Sequence, residues 1–224
     1  MLKISQYKHI IWDWNGTLLN DAWLFVDVMN GILKNRNMNT ITIDQYRDIF
    51  GFPVKDYYVK LGFDLDKESF KKSGLEFIHA YEKRRYEAKL YPGVVPLLTK
   101  LISKQISHSI LSAQHQLLLE DLIEYYNIQK YFIQINGLNN HYAQSKIKLG
   151  FEWMQKNEFD PNEVILIGDT DHDFEVAQAI GTDCLLISDG HHSHSRLVQT
   201  GTTVIHKLEH VFDLLKKSTN VAHI

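Results

Sequence analysis

Apolar residues recur along this chain in two rhythms. Short apolar or apolar-rich runs lie at residues 10–12, 106–111, 132–135, 163–167 and 183–187. Runs of that length, bounded by polar or glycine-containing turns, read as strands buried on both faces. Between them, apolar positions three and four apart mark helices. Trp23, Val26, Met29, Ile32 and Leu33 give the first, over 21–35, with Asn20 or Asp21 as its N-cap. Ile43, Tyr46 and Ile49-Phe50 share one face of a second, which starts at Thr42. The break Gly51-Phe52-Pro53 follows, and helical spacing resumes over 54–61 and 66–86. No strand signal stands out between Asn20 and Leu90. Further helices are expected over 94–104, 117–126 and 145–156, in the segment ending at Ile180, and over 208–217.

Strands that alternate with helices predict an α/β fold with a doubly wound parallel sheet. The all-helical stretch interrupts that alternation after the first strand. The expected organisation is a core formed by residues 1–19 and 91–224, with an all-helical cap domain of residues 20–90 inserted into it.

Composition narrows the function classes. A chain of 224 residues, 44% hydrophobic and 23% charged, suits a soluble protein with a sizeable core. Its net charge of −3 gives no electrostatic case for a nucleic-acid or membrane partner. The single cysteine, Cys184, excludes an intramolecular disulfide and, lying in an apolar run, reads as a buried inert thiol. The N-terminal MLKISQYKH lacks the long apolar stretch of a signal peptide. No segment approaches the roughly 20 apolar residues of a membrane span, so a cytoplasmic location is expected.

Chemistry gathers at strand ends. Asp13, Ser112 and Asp169 each follow a predicted strand directly. Parallel strands put their C-terminal ends on one edge, where open α/β sheets bind their ligands. The third loop reads GDTDHD and carries Asp169, Asp171 and Asp173. Carboxylates crowded at one strand end repel each other unless a cation lies among them. Oxygen donors without cysteine point to a hard ion such as Mg²⁺. The competing reading has Asp169 capping the next helix and the other two solvated.

Taken in order, DWNGTL at 13–18, Ser112, the Ser145-Lys146 pair and GDTDHD at 168–173 resemble the four motifs of the haloacid dehalogenase superfamily, whose core is a Rossmannoid sheet. YPGVVPLLTKL at 91–101 resembles the segment that leads from cap to core. The position of the helical insertion makes the chain most similar to the phosphoglycolate phosphatase-like branch. The resemblance implies a Mg²⁺-dependent phosphatase acting on a small phosphorylated metabolite, and a monomer or homodimer is expected. Asp13 would be the nucleophile that forms an aspartyl-phosphate. The metal would be held by Asp13, the backbone carbonyl of Asn15 and Asp169, with Asp173 supporting the metal shell or orienting the lysine. Ser112 and Lys146 would bind phosphate oxygens, with Lys148 the rival for the lysine role, and Gly16 and Thr17 would complete the phosphate cradle. Around the cap's break, Arg47, Phe52 and Lys55 are the candidates for substrate selection. A cation there would suit a second anionic group, such as the carboxylate of phosphoglycolate.

One departure from the family pattern changes the picture. The phosphatase motif has an aspartate two residues after the nucleophile, acting as general acid; here that position is Asn15, which cannot transfer a proton. Losing general acid catalysis costs roughly 10²–10⁴-fold. The readings that follow are a substrate with a good leaving group, a donor borrowed from the cap or from His172, or a slow or inactive phosphate-binding protein that kept the fold. The run Asp189-Gly190-His191-His192-Ser193-His194 suits transition-metal binding, but it also resembles the Gly-His loop that closes the core in this branch, and the second reading is preferred.

Overall fold

The computed structural model describes residues 3–139 and 146–216. In chain order the elements are β1 (His9–Trp12), β2 (Leu19–Asn20), α1 (Ala22–Lys34), α2 (Ile43–Ile49), α3 (Val54–Lys60) and α4 (Phe70–Arg84). They continue with β3 (Lys89–Leu90), α5 (Val94–Ile102), β4 (Ser107–His115), α6 (Gln116–Tyr125), β5 (Gln134–Leu138) and α7 (Lys146–Asn157). The last are β6 (Val164–Gly168), α8 (Asp171–Ile180), β7 (Asp183–Ile187), α9 (His194–Leu197), β8 (Thr203–Ile205) and α10 (Val211–Lys216).

Six strands form one parallel sheet in the order β5-β4-β1-β6-β7-β8. The apolar runs of β1 and β6 are unbroken because both faces are covered. Ile10 and Trp12 of β1, with Ile165 and Ile167 of β6, join the layer that holds Leu97, Leu98 and Leu101 of α5 and Leu119, Leu122 and Ile123 of α6. Ile11, Val164 and Leu166 point the other way, onto Trp153 of α7 and Val176, Ala177 and Ile180 of α8. Burying large aliphatic side chains on both faces at about 1.5–3 kcal/mol each makes β1 and β6 the centre of the fold.

From Ala22 to Arg84 the chain is helical, and it leaves and re-enters the core through a two-residue antiparallel ribbon of β2 with β3. A capping box of Thr42 with Gln45 starts α2, and the Ser69 hydroxyl accepts the Lys72 N–H at the start of α4. The helices pack on the core through polar clasps as well as aromatic side chains. Arg47 donates to the carbonyls of Gly190 at 2.9 Å and Asp189 at 2.7 Å, and Arg196 pairs with Asp171 at 2.6 Å while also donating to the Phe50 carbonyl.

Three features differ from the sequence expectation. β4 does not stop at Ser112 but runs on to His115, with a register shift against β5 between Leu111 and His115. β8 lies at the sheet edge and is too short and too exposed to leave an apolar run. The β2–β3 ribbon has two residues on each side, below what any periodicity can mark. Among the described residues, no helix is long and apolar enough to cross a membrane.

Candidate active site

Register brings the chemically capable strand ends together. Trp12 of β1 is level with Ile110 of β4 and Ile167 of β6, so Asp13, Ser112 and Asp169 emerge on adjacent strands at the carboxyl edge of the sheet. The Asp13 N–H donates to the Ile167 carbonyl at 2.9 Å, which prolongs the ladder to the nucleophile candidate itself.

Lys146 is the first residue of α7 and is almost wholly buried. Its Nζ donates to Asp13 Oδ1 and to Asp173 Oδ1, at 2.5 Å each. The other oxygen of Asp173 accepts the N–H groups of Asp169 at 3.2 Å and Thr170 at 2.9 Å, and the Thr170 hydroxyl at 2.7 Å. Thr170 and Asp173 thus form the capping box of α8, so Asp173 orients the lysine while anchoring the loop. Asp169 is no cap. Its carboxylate takes the Thr17 hydroxyl at 2.7 Å and the His191 N–H at 2.6 Å. The rival Lys148 is exposed on α7, 3.7 Å from Glu152. Ser145 lies outside the described residues.

Burial raises the Asp13 carboxyl well above its ordinary range, with Lys146 opposing and the charges of Asp173 and Asp169 adding to the rise. Burial likewise pushes Asp169 up to about 6, with His191 opposing. Asp173 goes the other way: burial would raise it, but the Lys146 ammonium and the Thr170 hydroxyl hold it low. Lys146 stays cationic because its two carboxylates outweigh its own desolvation. One ammonium among three buried carboxylates leaves a local excess of negative charge. Oxygens of Asp13, Asp169 and Asp173 all lie within 4.8 Å of one another, a hard-donor set that fits a divalent cation such as Mg²⁺. Among the described residues this is the one such cluster, and the His191-His192 run does not form another.

The position two residues on from Asp13 is held by a network absent from the sequence reading. Asn15 Nδ2 donates to Asp21 Oδ2 at 2.6 Å and to the Tyr81 hydroxyl at 3.2 Å. Tyr81, from α4, donates to the same Asp21 oxygen at 2.8 Å. Asp21 Oδ1 accepts the Gly16 N–H at 3.0 Å and lies 3.2 Å from His191 Nε2, whose ring partner on the other side is the Tyr46 hydroxyl at 2.7 Å. Asp21 therefore stands at the N-cap of α1 but makes no side-chain capping bond. It is a fully buried carboxylate that ties the loop to the cap. Burial would lower the His191 imidazole, but its bond to Asp21 and the surrounding carboxylates raise it.

A cavity of about 230 Å³ opens over Asp13 between core and cap. Asp13, Asn15, Ser112, Lys146, Thr170 and His191 line its floor, while Phe52 and other aromatic residues of the cap line its walls. Several expected contacts are not there. Arg47 is turned to the 189–190 carbonyls and Lys55 is an exposed residue of α3; neither lines the cavity. Gly16 and Thr17 do not line it either, because the Gly16 N–H is taken by Asp21 and by the Leu19 carbonyl, and the Thr17 hydroxyl by Asp169. Gly16 has φ +76°, and a Cβ there would collide with the Asp169 carboxylate and the His191 ring. Ser112 is buried on β4, its Oγ accepting the Gln114 N–H at 3.1 Å. Asp21, Tyr81 and His191 were missed as site residues, since each acts across the fold from its sequence neighbours.

Known proteins share this arrangement of chain. Phosphoglycolate phosphatase of Photobacterium profundum is 22% identical over 188 residues, covering 80% of this chain and 82% of its own. Tyrosine-protein kinase PtkA of Mycobacterium tuberculosis is 22% identical over 198 residues, covering 88% of this chain and 67% of that protein. The solved structure of a haloacid dehalogenase-like hydrolase from Streptococcus pneumoniae superposes with a TM-score of 0.80 at 21% identity, over 95% of this chain and 99% of that one. The model of haloacid dehalogenase-like hydrolases matches residues 10–187, from the second residue of β1 to the last of β7. That span holds Asp13, Lys146 and Asp169 together with the helices inserted between β2 and β3, and the chain belongs to the haloacid dehalogenase-like hydrolase family.

Proposed function

We propose that the protein is a Mg²⁺-dependent phosphatase that hydrolyses a small phosphomonoester through an aspartyl-phosphate on Asp13. The observation that carries this reading is the contact of Lys146 with Asp13 at the carboxyl edge of the sheet, beside Asp169. The kinship with a phosphoglycolate phosphatase supports a small phosphorylated metabolite as the substrate class.

Asp13, Asp169 and the Asn15 carbonyl would hold Mg²⁺, which when bound offsets the like charges of nucleophile and phosphate. An Asp13 carboxylate oxygen attacks phosphorus, the bond from phosphorus to the leaving oxygen breaks, and the electron pair departs on that oxygen. Lys146 favours the ionised nucleophile against its burial and, with the Ser112 hydroxyl, offers hydrogen bonds to the phosphoryl oxygens as charge develops. Water then attacks the phosphorus of the aspartyl-phosphate, which releases inorganic phosphate and restores the carboxylate. Asn15 donates to the departing oxygen at most a hydrogen bond and never a proton.

Release of phosphate from p-nitrophenyl phosphate, acetyl phosphate and phosphoglycolate, with Mg²⁺ and with EDTA, tests the proposal. Turnover that needs Mg²⁺ and disappears in Asp13→Asn is expected. Mg²⁺-independent inertness of wild type and Asn15→Asp alike over a broad panel would point instead to a phosphate-binding protein that retained the fold.

A further inference from the structure

The cavity above Asp13 has the wrong walls for a second anion. Of the described side chains that line it, Lys146 is the one lysine or arginine, and it already bridges Asp13 and Asp173. From the cap, Glu82 contributes a carboxylate, and of the lining histidines His191 is held between Asp21 and Tyr46 while His172 Nδ1 lies 2.8 Å from Glu175. A substrate carrying a carboxylate besides its phosphate would bury that charge beside Glu82 with no free lysine or arginine of the described lining to pair with, which is unfavourable.

The walls are aromatic instead. Phe25, Phe50, Phe52, Tyr57, Phe77 and Tyr81 all line the space. Most meet at angles: Phe25 with Tyr81 at 5.0 Å and 66°, Phe50 with Tyr57 at 5.3 Å and 82°, Phe50 with Phe52 at 5.6 Å and 67°, while Phe77 and Tyr81 lie nearly parallel at 6.3 Å and 11°. Such edge-to-face clusters present ring faces and edges to whatever enters, the surface that a further ring complements. At about 230 Å³ the space lies below the roughly 300–1,000 Å³ of drug-sized sites.

Polar atoms also wait there. The Tyr57 hydroxyl, His172 Nε2 and Gln114 Oε1 are buried without a hydrogen-bond partner, and all three residues line the cavity. Orphaned buried polar atoms are costly unless a ligand satisfies them. His172 also lies against Phe52, with ring centroids 4.9 Å apart. A neutral hydrogen-bonding substituent on the entering ring would find partners there.

From these walls we infer that the substrate is a phosphate monoester of a small, uncharged aromatic compound, a single ring bearing a neutral polar substituent. The inference rests on the phosphatase reading and gives it a substrate class. It also meets the lack of a proton donor at Asn15. A phenol ionises near 10, as the tyrosine side chain does, so an aryloxide leaves with the electron pair of the broken bond and takes its proton from water afterwards. An alkoxide from an aliphatic ester needs that proton during the step.

Pocket and leaving-group effects are separated by measuring kcat/KM with Mg²⁺ for phenyl, benzyl and ethyl phosphate, phosphoglycolate and acetyl phosphate. Benzyl and ethyl esters both expel alkoxides, so their ratio reads the pocket alone. Benzyl over ethyl phosphate by at least about tenfold is expected, and phenyl phosphate over phosphoglycolate by about 10²-fold or more. Phe52→Ala and Phe77→Ala should each narrow the benzyl-to-ethyl ratio. Turnover of acetyl phosphate with equal benzyl and ethyl rates, or with phosphoglycolate preferred to phenyl phosphate, overturns the aromatic inference and leaves the phosphatase reading standing. Inertness toward every ester, acetyl phosphate included, overturns both.

Discussion

The Asn15 amide and the Asp21 carboxylate are a matched pair: Nδ2 meets Oδ2 at 2.6 Å, with the Tyr81 hydroxyl on the same oxygen. Asp21 is fully buried, so its carboxyl group depends on the donors around it, and an amide at position 15 is one of them. An ionised aspartate there would face Asp21 with like charge. Asn15→Asp is therefore expected to keep one proton between the two carboxyls, with the apparent pKa of the pair raised. A protonated carboxyl is a general acid. The variant should hydrolyse ethyl phosphate about 10²-fold faster than wild type and change little on acetyl phosphate. Because the donor works only while protonated, the gain should fade as pH rises through the raised pKa. A pH–rate profile of kcat/KM without such a basic limb would refute this account.

Lys146 is the sole described ammonium in contact with the buried carboxylates of Asp13 and Asp173. Lys146→Met leaves both facing each other without a counter-charge. A loss of about 10²–10³-fold in kcat is expected from the missing phosphoryl donor. Destabilisation of about 3–5 kcal/mol should accompany it in metal-free protein, because an uncompensated buried charge remains. Thermal melts and phosphate release check both. Lys148→Met, on the exposed face of α7, should match wild type in each assay.

The position of Asp169 makes metal binding pH-dependent. Its carboxyl ionises near 6 because it is buried, and a ligand must be ionised to bind a cation. Apparent Mg²⁺ affinity should therefore fall by up to about tenfold per pH unit below about 6. Stability follows the same sign. A carboxyl raised in the folded state binds more protons there than in the unfolded chain, so metal-free protein loses stability as pH rises from about 4 to about 6. Mg²⁺ should then raise Tm more at pH 7.5 than at pH 5.0, and EDTA should cancel the difference. An equal Mg²⁺ shift at both values would remove Asp169 from the metal's ligands.

What the sequence made legible follows from distance along the chain. Asp13 and Asp169 could be read because each ends a doubly buried strand whose apolar run is its own signal. The helical insertion was legible from spacing alone. Asp21 was not, since an aspartate before an amphipathic run reads as a cap, while its actual partners Tyr81 and His191 lie 60 and 170 residues away. Arg47 looked like a substrate anchor for the same reason. Only the docking of α2 on the 189–190 loop shows that its guanidinium is engaged by carbonyls. Gly16 and Thr17, expected in the phosphate cradle, have their donors engaged by buried carboxylates.

Two glycines with nearly the same backbone separate strain from collision. Gly16 has φ +76° and Gly201 φ +78°, so an alanine at either meets the left-handed penalty of about 1–2 kcal/mol. A Cβ at Gly201 would meet nothing within 4 Å, whereas one at Gly16 would collide with the Asp169 carboxylate and the His191 ring. Gly201→Ala should therefore lower stability by that amount and leave kcat/KM at the wild-type value. Gly16→Ala should show the same penalty plus displacement of Asp169, a metal-ligand candidate that also carries the Thr17 and His191 bonds. Displacement of about 1 Å at a catalytic group costs on the order of 10²-fold, and the loss should appear with a weaker Mg²⁺ requirement curve rather than as unfolding. Melting curves and Mg²⁺ titrations of the two variants, run side by side, decide it; identical behaviour would mean that Gly16 is required only for its backbone angle.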